Sequence, residues 1–369
     1  MKKNNTDTIK ILFVGGKRGY KTEQPLRAAN ADIAAIDYSS LIARFFVFPV
    51  LFIIKFISCS PDILLTDIFG YPYLFCAVFS KIFRIPLIIR LRSNKYDNEE
   101  DMLRYTAKEK EYIKWIRTKI CFALAKHALC HAAGIVTVSE FVRKNVIERT
   151  GIPGSKVITV RTPVDVRKYQ VQKDRKRLRE KWSIPENTKI ISAVTGFDFP
   201  GKVRGLRKAM PHIVSVLEKR GDALFIIAGG GTLFKEFSQE IREYPRDAVR
   251  IEGCIENVSG LYCISDVFVH FSLQDGYPST VLEAFASKLP VIVNRYPAME
   301  EQVDNGRNGC IVDIENPHEL EGALNSLLDS SELREKFGEH GFAKVERENS
   351  NMYVGTRLLE GIRSIVQNL

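Results

Sequence analysis

Phe271-Ser-Leu-Gln-Asp-Gly-Tyr-Pro-Ser-Thr-Val-Leu-Glu-Ala-Phe-Ala-Ser-Lys-Leu-Pro-Val-Ile-Val293 is the stretch whose reading decides the fold. An apolar run over residues 266–270 precedes it and reads as a buried parallel strand. A turn with Gly276 and Pro278 comes next, residues 280–287 read as a helix, and residues 290–293 read as a second apolar strand. Strand, loop, helix, strand is the right-handed crossover of a doubly wound sheet, in which ligands sit outside the carboxyl ends of the strands. The loop of residues 275–279 lies at such an end and runs into a helix N-terminus, where free N–H groups and the macrodipole favour a phosphate. Asp275 and Glu283 flank that site. Carboxylates there do not hold phosphate; they accept hydrogen bonds from hydroxyls, as sugars supply.

Thr280-Val-Leu-Glu283 also fits a capping box, with Thr280 as N-cap and Glu283 at the third helical position. Spacing alone therefore leaves Glu283 open between a structural role and a ligand role, and Asp275 in a Gly/Pro turn is by itself a turn residue. The complete string decides more. It resembles the signature of the retaining glycosyltransferases of family four (glycosyl transferases group 1, GT-B fold), in which an acidic residue, seven intervening residues and a Glu bracket a nucleotide-sugar. Here the pattern is Asp275, seven residues, Glu283, then Ala284, Ala286, Pro290 and Val291. The family usually has Glu at the first position and Gly where Lys288 stands.

Length and composition agree with a two-domain protein. The chain has 369 residues, 45% apolar and 27% charged, which describes a folded globular protein of about two ordinary domains. Its seven cysteines are odd in number and scattered, a reduced, cytoplasmic pattern rather than a disulfide framework. No secretory signal peptide is read at the start. His127, Cys130 and His131 lack the further ligands of a convincing metal set, so a structural role is expected.

Charge is uneven: residues 1–170 carry 28 Lys/Arg and 15 Asp/Glu, a net of +13, and the remainder nets −3. A basic half suggests a polyanionic partner on one side only. Zinc-finger, RRM and basic-zipper patterns are missing, so nucleic acid is not expected; an anionic membrane surface or a lipid-phosphate acceptor fits better. Residues 41–57 hold five phenylalanines, but only ten residues separate Arg44 from Lys55, too few to span a bilayer. That stretch reads either as a buried connecting helix or as one lying in the interface, and residues 73–83 look similar. Residues 108–131 read as one long basic helix.

Strands are expected over residues 9–14, 33–36, 63–65, 87–91 and 135–138, with helices between, so the first half is α/β with a parallel sheet. The first strand ends in Gly15-Gly16, where a backbone can approach a bulky ligand. The spacing is not that of a dinucleotide fingerprint. Residues 132–165 are a second match to the family: a strand, Ser139-Glu140, a helix, and an extended segment with Arg161-Thr-Pro163 where Pro-Asn-Gly is usual. In the second half, a strand over residues 189–194 leads to a Gly/Pro loop with Lys202, then a helix over residues 206–219. The family typically grips the diphosphate there with an Arg and a Lys. Lys202 keeps the lysine and Phe197 stands where the arginine would be.

What the resemblance implies is an α/β protein of the GT-B kind, two Rossmann-like domains facing a central cleft. The expected boundaries are an acceptor-binding domain over residues 1–165, a nucleotide-sugar domain over 166–346, and a final helix over 347–369 crossing back to the first domain. The implied activity is retaining transfer of a hexose from a nucleoside-diphosphate sugar to a hydroxyl on a glycan or lipid-linked acceptor, without metal or cofactor; the alternatives are another nucleotide-sugar enzyme of the same fold, such as an epimerase, or a nucleotide-sugar-binding protein without turnover. Asp275, Lys202 and Arg92 are the expected catalytic residues. Donor contacts are expected from Gly15, Gly16, Gly276, Tyr277, Pro278, Ser279, Thr280 and Glu283, from Arg204 or Arg207 in compensation for Phe197, and from the backbone at Gly253 and Cys254.

Overall fold

Buried runs of Ile, Leu, Val and Phe, each followed by a helix, assemble two parallel six-stranded sheets. The computed structural model describes residues 9–15, 19–37, 47–67, 71–170 and 174–369. Gly16, Arg44, Phe45 and Phe46 lie outside them. The chain divides into two compact units: residues up to Pro163 together with Glu348–Leu369, and Val164–Arg347.

The first unit contains β1 (Lys10–Gly15), α1 (Tyr20–Ala28), β2 (Asp32–Asp37), α2 (Phe48–Cys59), β3 (Ile63–Thr66), α3 (Tyr71–Phe83), β4 (Leu87–Leu91), α4 (Lys95–Lys108), α5 (Tyr112–His131), β5 (Gly134–Thr137), α6 (Glu140–Thr150) and β6 (Val157–Thr159). Its strand order is β2-β1-β3-β4-β5-β6. The connections β2→β3, β3→β4 and β4→β5 advance in one direction, so right-handed crossovers place α2, α3 and α4–α5 on one face. The β1→β2 connection runs the other way and puts α1 on the opposite face. There Leu26 of α1 packs with Ile11, Phe13, Ile63, Leu65 and Ile88, whose alternate neighbours point the other way.

The second unit contains α7 (Val166–Gln170), α8 (Arg175–Lys181), β7 (Lys189–Gly196), α9 (Pro200–Arg220), β8 (Ala223–Gly230), α10 (Phe234–Ile241), β9 (Val249–Glu252), α11 (Val258–Ile264), β10 (Val267–His270), α12 (Ser279–Ala286), β11 (Val291–Asn294), α13 (Pro297–Glu300), β12 (Gly309–Val312), α14 (Pro317–Asp329) and α15 (Ser331–Asn349). Its order, β12-β11-β10-β7-β8-β9, reverses between β7 and β10. That pair is the topological switch point, and the carboxyl ends of β7 and β10 flank its crevice. A last helix, α16 (Asn351–Gln367), belongs to the first unit, where Val354, Leu358, Ile362 and Ile365 join the core beside α1. Gly134 and Gly355 let it approach: a Cβ on Gly355 would lie 1.9 Å from the carbonyl oxygen of Pro25.

Two expectations need correction. The basic helix expected over residues 108–131 is α5 and starts only at Tyr112, while Lys108 closes α4. Lys110 turns left-handed (φ 56°), and the Glu111 N–H closes back on the Thr106 carbonyl at 2.9 Å, a local turn to which hydrophobic periodicity is blind. The second concerns α9, which begins at Pro200 rather than near Leu206, so Lys202 and Arg204 are helical residues and not loop residues. Pro200 presets the first helical φ, and the glycines that read as loop are tolerated because tertiary contact demands them. A Cβ on Gly205 would meet Ser272 Cα at 2.7 Å and the Phe271 carbonyl at 2.8 Å.

Candidate active site

The close approach at Gly205 brings the first turn of α9 to the loop after β10. Gly201 accepts the Leu273 N–H at 3.1 Å, and Lys202 Nζ then sits 2.8 Å from Asp275 Oδ2. Asp275 is 7% exposed. Its Oδ2 also lies 3.1 Å from His270 Nε2, and its Oδ1 accepts the Gly276 N–H at 2.9 Å. A carboxylate only accepts, so Nε2 of His270 carries the hydrogen and Nδ1 accepts from Thr280 Oγ1 at 3.3 Å. Burial alone would raise the Asp275 pKa; the Lys202 charge and the His270 hydrogen bond override it and hold the carboxyl well below its ordinary range. Burial lowers the His270 pKa against the pull of Asp275, which keeps the ring neutral.

Three side chains, from the first turn of α9, the end of β10 and the loop after it, thus form one polar cluster at the switch point, and buried hydrogen bonds behind it fix that loop. Asn294, at the end of β11, accepts the Ser272 N–H at 2.7 Å and donates Nδ2 to the Ser272 carbonyl at 3.0 Å. Ser272 Oγ in turn bonds the backbone of Gln274. The buried Gln302 donates to the Pro278 carbonyl at 3.1 Å. Every one of these groups is buried, so the loop is held rather than draped.

Helix α12 opens beside this cluster with Pro278 as N-cap and no side-chain cap. The capping-box alternative for Glu283 is therefore not realised: Thr280 is the second helical residue, its hydroxyl pairs with His270, and Glu283 lies one turn on. Glu283 instead accepts the hydroxyl of Tyr262 at 3.2 Å. Burial first, then the Glu283 charge, pushes the Tyr262 pKa up, so the phenol stays a donor. The uncapped N–H groups of the first turn remain a site for an anion. Tyr277 is buried, and Ser279 and Thr280 are half-buried at the helix start.

Other sequence-based candidates fall elsewhere. Arg207 spends its guanidinium on Glu240 (2.6 Å) and Glu236 (3.1 Å), about 140° around α9 from Lys202; as a substitute phosphate clamp it is already engaged. Arg204 is exposed. Phe197 is not at a ligand surface: it is fully buried against Phe234 and Phe237 of α10, ring centroids 5.4 and 5.3 Å away. Gly253 and Cys254 follow β9, and the Gly253 carbonyl accepts the Gly229 N–H at 3.2 Å. Gly229 and Gly231 have φ of 143° and 148°, and a Cβ on Gly231 would strike the backbone at Phe197 and Asp198 at 2.5 Å. Sequence reasoning missed His270, Asn294 and Tyr262; a polar residue closing an otherwise apolar strand was the available signal for the first two.

In the first unit, Gly15 ends β1 and Arg92 follows β4, with Arg92 Nε 3.2 Å from Asp67 Oδ2. Both lie at carboxyl strand ends. Asp67, Arg90, Arg92, Lys114 and Arg117 line a cavity of about 400 Å³ there. Arg90, 1% exposed, donates to the carbonyls of Lys21 and Arg161, and burial lowers its pKa to about 10. A roomier cavity in the second unit, about 590 Å³, is lined by Arg175, Lys189 and Asp266. It lies at the amino ends of β7 and β10, where Asp266 caps strand backbone (Ile190 N–H, 2.8 Å), and so serves structure. Among the described residues no group of three or more His, Cys, Asp or Glu is arranged to hold a metal ion. His127 and His131 stack with centroids 4.1 Å apart on α5.

Comparison with known proteins bears on both units. Residues 174–344 match the family model for glycosyl transferases group 1, and residues 23–168 match that for glycosyltransferase family 4. The chain is 26% identical to spore coat protein SA of Bacillus subtilis (strain 168) over 266 residues, 68% of each chain. It is 23% identical over 279 residues to the alpha-monoglucosyldiacylglycerol synthase of Streptococcus pneumoniae, covering 72% of this chain and 59% of that one. The Anabaena protein HepE, solved in complex with UDP and glucose, shares the fold with a TM-score of 0.72 at 15% identity, over 96% of this chain and 100% of that one.

Proposed function

Because the chain belongs to the glycosyltransferases of group 1 and family four, a family of transferases with the GT-B fold, we propose that it moves a hexosyl unit from a nucleoside-diphosphate sugar to a hydroxyl of a glycan or lipid-linked acceptor, with retention at the anomeric carbon. The observation that carries this reading is the Lys202–Asp275–His270 cluster beside the uncapped start of α12. One fixed cation and a set of free N–H donors converge where a diphosphate leaving group can rest. Lys202 has three donors and gives one to Asp275, so it can meet a phosphate oxygen without leaving the carboxylate. Asp275 has about four lone-pair positions and three bonds, which leaves about one for a sugar hydroxyl.

Catalysis in this reading is positioning and charge stabilisation, not covalent chemistry. Glu283 is the ribose anchor, held by Tyr262. The acceptor in this reading binds the first unit, where Arg92 and the basic cavity lie at strand ends, and the names of relatives such as the alpha-monoglucosyldiacylglycerol synthase of Streptococcus pneumoniae favour a lipid or cell-surface acceptor.

Turnover of a nucleotide-sugar panel with lipid and glycan acceptors, read by anomeric NMR of the product, tests this directly. An α-linked product from an α-linked donor supports retention; an epimerised donor without transfer, or donor binding without any turnover, sinks the transferase reading. Transfer is expected to survive EDTA because Lys202 carries the neutralising charge. Activity lost in EDTA and restored by magnesium would remove that role.

Glu283→Gln is expected to raise the donor KM about tenfold, the scale of losing one charged hydrogen bond. The melting temperature should hardly change, since the amide oxygen still accepts from Tyr262 and no capping box is lost. An unchanged KM would make Glu283 merely structural.

A further inference from the structure

Helices α2 and α3 are bound to each other by phenylalanines: Phe48, Phe52 and Phe56 of α2 interlock with Phe75, Phe79 and Phe83 of α3, centroids 4.9–6.1 Å apart. That contact uses one stripe of each helix. The outer stripes are also apolar and stand in solvent: Ile54 and Ile57 on α2, Val78 and Ile82 on α3, with Ile57 70% and Ile82 65% exposed. On the same face of the sheet, α5 exposes Ile116 and Ile120. A helix apolar on all sides belongs in a core or in lipid, and these are not in a core.

The charges decide the occupant. Helices α2, α3 and α5 contain no aspartate or glutamate, yet carry Lys55, Lys81, Lys114, Arg117, Lys119 and Lys126. The acidic residues on this side of the sheet lie on α4, where Asp97 and Glu100 pair with Arg149, and in the turn before α5, where Glu111 is tied to Lys114 at 2.8 Å. A second copy of the chain would bring two acid-free basic faces together, which like-charge repulsion opposes. An anionic bilayer matches both features, since its headgroups take the lysines and its acyl boundary takes the isoleucines. The twelve residues of α2 make about 18 Å of helix, short of the ~30 Å hydrocarbon core. Among the described residues no helix is long and apolar enough to cross a membrane.

We propose that the outward face of α2, α3 and α5 is an interfacial docking surface for an anionic phospholipid bilayer, on which the helices lie flat. It goes beyond the proposed transfer reaction and does not depend on it, because the test below uses no donor or acceptor.

The experiment is co-sedimentation of the full chain with phosphatidylcholine vesicles, and with vesicles of phosphatidylcholine and phosphatidylglycerol, at low and high salt. Partition is expected to be at least about tenfold stronger with phosphatidylglycerol and to weaken with salt. The double variant Ile57→Asp, Ile82→Asp should lose about tenfold or more of this binding with an unchanged melting temperature, both sites being exposed. Lys119→Gln should lose about fivefold. Equal partition into both vesicles, or full binding by the double variant, overturns the proposal. So does lipid-free dimerisation that the double variant abolishes, which would make the face a contact between copies. A chain that transfers sugar but ignores vesicles fails here alone; one that binds vesicles but does not transfer fails only the enzyme reading.

Discussion

Lys202→Ala is expected to cut turnover about 100-fold or more, on the scale of removing one preorganised donor from a developing charge. The helix start contributes only about 0.3–2 kcal/mol through its dipole, so the lysine should be the larger share of diphosphate neutralisation. The fall should lie in kcat rather than KM, because leaving-group charge grows in the transition state. The same substitution strips the buried Asp275 of its cation, and breaking such a pair costs about 3 kcal/mol. The two effects separate by pH. With Lys202 present, the depressed Asp275 pKa contributes stability above the unfolded carboxyl value, about 3.9, and that stability is lost only as pH falls through the lower folded value. Without the lysine, burial pushes the carboxyl up and acid loss of stability begins at higher pH. Melting curves across pH, beside kcat measured where the variant is fully folded, give both readings. A folded Lys202→Ala enzyme with wild-type kcat would remove the lysine from catalysis.

Gly205→Val should be nearly as damaging although Gly205 touches no substrate. Its added carbons would meet the backbone of Phe271 and Ser272, at 2.7–2.8 Å for Cβ alone, and a backbone cannot swing aside as a side chain can. Helix α9 must retreat, at a cost of about 1–3 kcal/mol for overpacking. A retreat of ~1 Å carries Lys202 off Asp275, and displacements of that size cost about 100-fold in rate. Gly322→Ala on α14 is the control, since a Cβ there meets nothing within 4 Å. It should be neutral or slightly stabilising, by up to about 1 kcal/mol. Wild-type stability and rate in Gly205→Val would show that the close approach of α9 positions nothing.

The alternation of buried strands with helices, the strand–loop–helix unit around Asp275 and the carboxyl-end location of its loop were legible in the sequence, because they rest on local periodicity and turn chemistry. So was the basic first half. What periodicity could not reach were contacts made across the chain. Gly201 and Gly205 read as loop because glycine is a poor helix former, but the backbone of residues 271–272 packs where Gly205 lacks a Cβ, the Gly201 carbonyl accepts the Leu273 N–H, and α9 extends backward. Phe197 occupied an expected arginine position and proved to be core, since α10 offered it a ring-lined pocket. Glu283 fitted a capping box, but its partner is Tyr262, 21 residues away, and the loop is held by Asn294, 22 residues from Ser272. Residue type and spacing determined which chemistry was available. The reversal of strand order between β7 and β10 decided which side chains meet, because there two loops leave neighbouring strands in opposite directions and open a crevice that His270, Asp275 and Lys202 can share.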